Sequence, residues 1–231
     1  MEVQHTHQHC GRTQRGCVSQ VPIFNHLEDG QMNEVMGMVQ SVAYKRGEMV
    51  YRAGDPSDSL YIVHTGKIRI YRLSESGKEQ LLRILAPGNF TGELALFKDG
   101  VHEAFGEAME ETQVCIIRRE DLQKLLLKYP SVSLKILTEF SIRLEQSEKQ
   151  TTRFATEKVE ARLASFLAEC MDHDRSKEIT LPMSKKDLAS YLGTTPETIS
   201  RKLADLEEAG LIQQKSNKKI VILDQDGLLL V

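Results

Sequence analysis

Ser184-Lys185-Lys186-Asp187-Leu188-Ala189, then Gly193-Thr194-Thr195-Pro196-Glu197-Thr198-Ile199-Ser200-Arg201, is the stretch that decides the reading of this chain. Ser184 to Asp187 is a capping-box-like start ahead of Leu188, Ala189 and Leu192, so a short helix begins there. Gly193 supplies a turn. Thr195 then caps a second helix, with Pro196 at its first position, where a missing N–H costs nothing. Ile199, Leu203 and Leu206 form the buried stripe of that helix, and Glu197, Ser200 and Arg201 project together from the opposite face. Two short helices around a glycine turn, the second with a polar reading face, predict a helix-turn-helix.

The chemistry of that face suits DNA. Arg201 can donate two hydrogen bonds to guanine O6 and N7, and Glu197 can accept from cytosine N4 in the major groove. A capping box with Thr194 would instead turn Glu197 back to the backbone; Pro196 fits best one residue after the cap, which favours base contact. Downstream, Gln213 to Lys219 followed by Ile220-Val221-Ile222-Leu223 reads as a hairpin with a basic tip, the wing of a winged helix. Ser184, Lys185, Thr195, Lys202, Lys215, Lys218 and Lys219 are the candidate phosphate contacts, against the alternative that the wing lysines are simply a solvated turn.

The preceding sequence has a different texture. Between Lys45 and Met109 glycines recur at short intervals, and Lys67-Ile68-Arg69-Ile70-Tyr71 alternates charged and apolar residues, the mark of a half-buried strand. Short strands separated by Gly54-Asp55-Pro56, Ser76-Gly77 and Pro87-Gly88 predict an all-β sandwich or barrel. A short helix at Asp121–Leu127 follows. From Ser131 to about Thr156 there is neither Gly nor Pro, and Leu137, Phe140, Leu144, Ser147, Thr151 and Phe154 keep a heptad spacing. That seam predicts self-association; packing on the chain's own barrel is the alternative. A further helix at Glu157–Cys170 presents Val159, Leu163, Phe166 and Leu167, and Met171 to Lys177 reads as a charged loop.

Composition bounds the class without naming a partner. The 231 residues are 40% apolar and 27% charged, ordinary for a globular chain, and no apolar run is long enough for a membrane span. Met1 to Gln20 lacks the apolar core of a signal peptide, so a cytosolic protein is expected. The net charge of −3 gives no hint of nucleic acid. No catalytic constellation is visible, and no enzyme activity is expected. Four cysteines, Cys10, Cys17, Cys115 and Cys170, make a static disulfide framework improbable in that compartment.

Arg46-Gly47-Glu48, Ala53-Gly54-Asp55, Leu60-Tyr61, Gly66, Gly92-Glu93-Leu94-Ala95-Leu96-Phe97 and Glu197-Thr198-Ile199-Ser200-Arg201 occur in the order found in the Crp–Fnr superfamily of bacterial transcription regulators, which the chain resembles from about Val21 to Val231. The resemblance implies an α+β architecture: an arm over residues 1–20, a cyclic-nucleotide-binding-type β-roll (a jelly roll) over 21–129, a dimerisation helix over 130–156 and a winged helix-turn-helix over 157–231. It implies a homodimer on double-stranded DNA, with RNA polymerase as a further partner. Where the cyclic-AMP branch has an Arg to clamp the cyclic phosphate, this chain has Glu103, followed by Ala104. A carboxylate there repels a phosphate, so cyclic AMP is not expected as the effector. Glu197, Ser200 and Arg201 match the Fnr branch instead, which implies TTGAT-like half-sites in an inverted repeat. A cyclic-nucleotide-responsive regulator and an effector-independent Fnr-like regulator are the alternatives.

Oxygen sensors of that branch hold an iron–sulfur cluster on three N-terminal cysteines and one late in the β-roll. Cys115, in Glu111-Thr112-Gln113-Val114-Cys115, matches the late position, but only Cys10 and Cys17 stand at the N-terminus. A four-iron cluster ordinarily takes four thiolates. His5, His7 or His9 would have to supply the fourth ligand; the His-rich start is otherwise a tail or a Zn²⁺ binder, and no metal site is assigned. Ser147 stands where the oxygen sensor has an acidic residue that keeps apo-subunits apart. The pattern resembles the Fnr-like proteins of lactic-acid bacteria, which implies reversible pairing of Cys115 with Cys17 or Cys10. A cluster, and a buried Cys115 with no chemistry, remain the alternatives. Cys170, on an apolar helix face, is read as packing.

Overall fold

A computed structural model of the chain describes residues 8–9, 18–97, 99–174 and 176–231. It divides into two compact units, Met1–Lys78 with Leu82–Arg143 and Glu79–Leu81 with Leu144–Val231. The first unit begins with strand β1 (Gln8–His9) and helix α1 (Asp29–Gly37). Strands β2 (Gln40–Tyr44), β3 (Met49–Tyr51), β4 (Ser59–Thr65), β5 (Ile68–Leu73), β6 (Glu79–Leu85) and β7 (Phe90–Thr91) follow. A 3₁₀ turn at Glu93–Leu96 leads into β8 (Phe105–Ala108) and β9 (Thr112–Arg118). Helices α2 (Arg119–Lys128) and α3 (Pro130–Thr156) complete the run.

The strands form two antiparallel sheets, ordered β1-β2-β9-β4-β7 and β3-β8-β5-β6. Val42, Val63 and Val114 of the first meet Ile68, Ile70, Leu85 and Ala108 of the second in an inter-sheet core. The outer face of the first sheet is also apolar: Leu60, Ile62, Cys115 and Ile117 pack with Val18, Ile23, Phe24, Leu122, Val132 and Ile136. Strand β9 therefore alternates between two buried faces, Val114 toward the opposite sheet and Cys115 toward the segment around Val18 and the helices. Arg69 fits the alternation of β5: half-buried between Ile68 and Ile70, it pairs at 2.7 Å with Glu107, its cross-strand partner on β8.

The second unit is built from α4 (Val159–Asp174), β10 (Glu178–Thr180), α5 (Lys185–Tyr191), α6 (Pro196–Glu208), β11 (Ile212–Gln214), β12 (Lys219–Ile222) and α7 (Gln225–Leu229). Its sheet has the order β10-β12-β11. Helix α4 runs to Asp174, four residues beyond the expected end at Cys170, so most of the expected charged loop is helix; Met171 to Asp174 contain neither Gly nor Pro to stop it. Leu163, Phe166 and Leu167 are buried as the spacing predicts. No described helix is long and apolar enough to cross a membrane.

Candidate nucleic-acid interface

The two helices of the expected helix-turn-helix start where their caps dictate. The Ser184 hydroxyl accepts from the Asp187 N–H at 3.1 Å and donates to the Asp187 carboxylate at 2.6 Å. Leu188 and Ala189 anchor α5, and Gly193 turns the chain at φ +70°. A Cβ there would lie 3.1 Å from the Phe154 ring, so a glycine serves both the turn and the packing. Thr195 caps α6 by accepting from the Thr198 N–H at 3.3 Å, with Pro196 at the first turn. Ile199, Leu203 and Leu206 are fully buried; each stabilises the unit by about 1.5–3 kcal/mol on transfer scales. Their burial fixes the rotation of the helix and leaves Glu197, Ser200 and Arg201 exposed on the other side.

Those three side chains are not equivalent. Glu197 accepts from its own N–H and from the Thr195 hydroxyl, which together hold its carboxyl below the usual range. It folds back on the helix start, with Thr195 rather than Thr194 as the partner. Ser200 and Arg201 have no side-chain hydrogen bond or ion pair among the described residues. Arg201 is thus an exposed guanidinium on a helix whose orientation is set by three buried anchors.

The expected phosphate contacts divide in the same way. Lys215 and Lys218, on the turn between β11 and β12, are exposed and make no ion pair with described residues. Lys219 pairs with Glu178 at 3.2 Å, both half-exposed, a contact too solvated to hold the ammonium against a phosphate. Lys185 reaches Gln214 at 3.2 Å, and Gln214 is itself tied to Glu207 at the end of α6, so the wing strand is braced by both helices. Lys202 departs from the expectation. Its ammonium lies 2.8 Å from Asp205 and 2.9 Å from Glu160, which raise its pKa and commit it to joining α6 to α4. The Ser184 hydroxyl is likewise occupied by its cap.

Helix α3 separates the heptad seam into faces. Val132 and Ile136 are buried in the β-roll core, and Phe140, next on that face, packs against the same core and edge-on to Phe97 at 5.6 Å. Phe140 therefore belongs to the roll-facing side, which spacing alone does not distinguish from the seam. Phe154 is similarly engaged, with the Arg162 guanidinium 5.0 Å over its ring. Leu137 and Leu144, by contrast, are 55% and 61% exposed, and Leu134 and Ile142 extend the bare apolar surface. Ser147 and Thr151 are exposed on the same helix, the Thr151 hydroxyl donating back to the Ser147 carbonyl at 2.9 Å.

The β-roll carries a polar cluster that sequence reading did not find. Gly92 sits at φ +82° against the Ser59 carbonyl and the Tyr61 ring, leaving no room for a side chain. It delivers Glu93 into the roll, where one carboxylate oxygen accepts from Arg143 at 2.6 Å and from Arg83 at 3.2 Å. Burial by itself would raise the Glu93 carboxyl; the two guanidiniums outweigh it and hold the group below its ordinary value. Arg83 also donates to Thr91, which is hydrogen-bonded to Tyr51, and Tyr51 stacks on His102 at 3.9 Å. Glu103, at the position where the resemblance looks for a phosphate-binding Arg, pairs with Arg72 near the surface. A carboxylate thus stands at the phosphate position, which disfavours a cyclic phosphate; one Glu93 oxygen is taken by the arginines, while the other, like His102 Nε2, is buried without a hydrogen-bond partner among the described residues. The signal for Arg143 was its place three residues after Phe140 on the Val132–Ile136 face.

Cys115 is completely buried, and Cys170 is half-buried on α4. Cys10 and Cys17, with His5 and His7, lie outside the described residues, and no cluster of three or more His, Cys, Asp or Glu able to hold a metal occurs among the described ones.

Comparison with known proteins agrees with the two units. Profiles described as Cyclic nucleotide-binding domain and Crp-like helix-turn-helix domain match residues 41–129 and 161–230. The chain is 34% identical to a Lacticaseibacillus casei protein named "Probable transcriptional regulator flp", over 92% of this chain and 96% of that one. It is 30% identical to the Anaerobic regulatory protein of Haemophilus influenzae, over 92% and 84%. The solved structure of FixK2 from Bradyrhizobium japonicum superposes with a TM-score of 0.71 at 28% identity, covering 82% of this chain and 95% of that one. These relatives are transcription regulators rather than enzymes, and the protein belongs to the Crp/Fnr family of DNA-binding transcription regulators.

Proposed function

We propose that this regulator binds, as a homodimer joined along α3, an inverted repeat of TTGAT-like half-sites. Arg201 reads guanine, with Ser200 and Glu197 beside it. Lys185, Lys215, Lys218 and Lys219 meet the phosphates. The observation that carries this reading is the exposed Arg201, without a side-chain partner among the described residues, on a helix fixed by Ile199, Leu203 and Leu206. Two such helices would enter successive major grooves about one helical turn apart. Bound this way, the dimer is presented to RNA polymerase beside its site. Glu197 must release the Thr195 hydroxyl to accept from cytosine, an exchange between exposed hydrogen bonds of similar strength.

The signal we infer is redox state, read by Cys115 with Cys10 or Cys17. Two observations support it. Strand β1 pairs Gln8 with Ser41, and Ser41 pairs with Cys115 on β9, so the chain immediately before Cys10 lies two strands from Cys115. Val18, next to Cys17, is buried in the same apolar cluster as Cys115. A peroxide would oxidise the N-terminal thiol to a sulfenic acid with release of water. Attack by the Cys115 sulfur then forms the disulfide and releases a second water. Burial shields Cys115 from direct oxidation, which supports a resolving rather than a peroxide-reacting role for it.

The test is peptide mapping of the full chain after peroxide treatment, beside anaerobic purification. A colourless protein with a Cys115–Cys17 or Cys115–Cys10 peptide, reversed by dithiothreitol, is the expected result. Absence of any Cys115-containing disulfide contradicts the switch, and a brown protein holding iron and sulfide replaces it with a cluster.

A further inference from the structure

Strand β11, at the edge of its sheet, ends on a glutamine whose side-chain amide is used at both ends. The Gln214 backbone N–H donates to Glu207 Oε1 at 2.7 Å, and its side-chain Nε2 donates to Glu207 Oε2 at 3.0 Å. Its Oε1 accepts from Lys185 Nζ at 3.2 Å. Glu207 stands in the last turn of α6, where the helix dipole disfavours a carboxylate. The two Gln214 donors, with the Lys185 charge nearby, offset that and hold the carboxyl below its usual range. Immediately beyond Gln214 the wing tip closes on itself. The Lys215 and Ser216 N–H groups donate to the Lys219 carbonyl at 2.9 and 3.2 Å, and the Ser216 hydroxyl accepts from the Lys219 N–H at 3.1 Å. Gln214 and the tip therefore move as one piece.

We propose that Gln214 is the positioning residue that fixes the wing against the recognition helix, so that Lys215 and Lys218 meet phosphates in the same docked pose in which Arg201 meets bases. Arg201 belongs to α6 and the two lysines to the tip, so their register on a duplex is set by whatever joins α6 to β11. Leu206 on α6 and Ile212 on β11 are both buried, but apolar burial is non-directional and does not set an angle. A two-pronged, charge-assisted hydrogen bond does. An amide suits the place because it donates to Glu207 while accepting from Lys185; a carboxylate would repel the first and an ammonium the second. Lys185 keeps two further N–H groups for a phosphate. The DNA part of this inference rests on the reading above in which the wing lysines meet phosphate; the brace itself does not.

Two readouts on the full chain keep these apart. Affinity for a duplex carrying the TTGAT inverted repeat is measured over a range of salt concentrations, and backbone hydrogen exchange is followed over residues 214–220 without DNA. K215A/K218A should lower the slope of log affinity against log salt by about 2 per subunit, which measures what the wing supplies. Q214E keeps the shape of the side chain but sets a carboxylate against Glu207. It should raise exchange over the wing ~10-fold, weaken DNA binding ~10-fold and lower the salt slope by roughly half as much as the lysine variant. Adding E207Q should rescue all three, because amide and carboxylate then change places. Position 207 still accepts from the 214 N–H, and it donates to a carboxylate that Lys185 also reaches. Q214L, which removes the side-chain contacts without adding charge, carries the slope and exchange measurements if Q214E does not fold. A lower melting temperature with unchanged slope and exchange would mean a role in folding alone and would overturn the proposal. So would failure of E207Q to rescue Q214E. An unchanged slope in K215A/K218A would remove the phosphate reading of the wing instead, and raised, rescued exchange in Q214E would then leave the brace standing.

Discussion

The β-roll and the winged helix use the same side chain in opposite ways. In the roll, Arg83 and Arg143 point inward onto a single buried carboxylate, while in the winged helix Arg201 points outward with no partner among the described residues. Both halves match a family profile, Cyclic nucleotide-binding domain in the roll and Crp-like helix-turn-helix domain in the second unit. A buried guanidinium already satisfied by its own protein is part of the scaffold. An exposed guanidinium, held in place by the packing beneath it, has its donors open to a partner.

The contrast breaks most dramatically at the dimer seam. Leu144→Glu places a charge on the bare apolar stripe of α3 and should convert the dimer to monomer and abolish operator binding, read by sedimentation and anisotropy. Arg201→Ala should leave the dimer and its melting temperature unchanged. It should weaken specific binding by about 2–6 kcal/mol over two half-sites. Inside the roll the direction reverses: Gly92→Ala should lower stability by about 3 kcal/mol, because a side chain at φ +82° meets the Ser59 carbonyl and the Tyr61 ring. Lys218→Ala should reduce the slope of log affinity against log salt by about 1 per subunit, with sequence preference intact.

The smallest effect is on acid stability. The folded Glu93 carboxyl lies below its unfolded value, so its contribution is present above the unfolded pKa and is lost as pH falls through the folded one. Melting temperatures taken downward from about pH 5 should therefore fall more steeply for the wild type than for E93Q. Parallel curves would mean that Glu93 gains nothing from its arginines.

What the sequence disclosed follows from range. Caps, the glycine turn and the Ile199–Leu203–Leu206 stripe are local, set within a few residues, and both helices of the motif begin at the residues their caps predict. The wing and the long helix were legible for the same reason. Lys202 was not, because its partner Glu160 lies 42 residues away and a lysine on a helix face carries no mark of it. Phe140 and Leu137 share one heptad spacing, and only the position of the roll separates an inward from an outward side chain. Glu93 could be recognised as part of a turn, but its partner Arg143 stands 50 residues on, in a stretch that reads as a dimer helix. Cys115 was legible as a strand residue; its facing the segment after Cys17 rather than the opposite sheet required the sandwich.

The central claim is that Arg201 reads sequence from an exposed helix face. It is tested most directly by titrating the full-length protein, with no nucleotide added, against a duplex carrying the TTGAT inverted repeat and one with both half-sites scrambled. The account predicts one dimer per repeat, with an affinity for the repeat at least ~100-fold above the scrambled duplex that falls to near parity in Arg201→Ala. Equal affinity of the wild type for the two duplexes would contradict it.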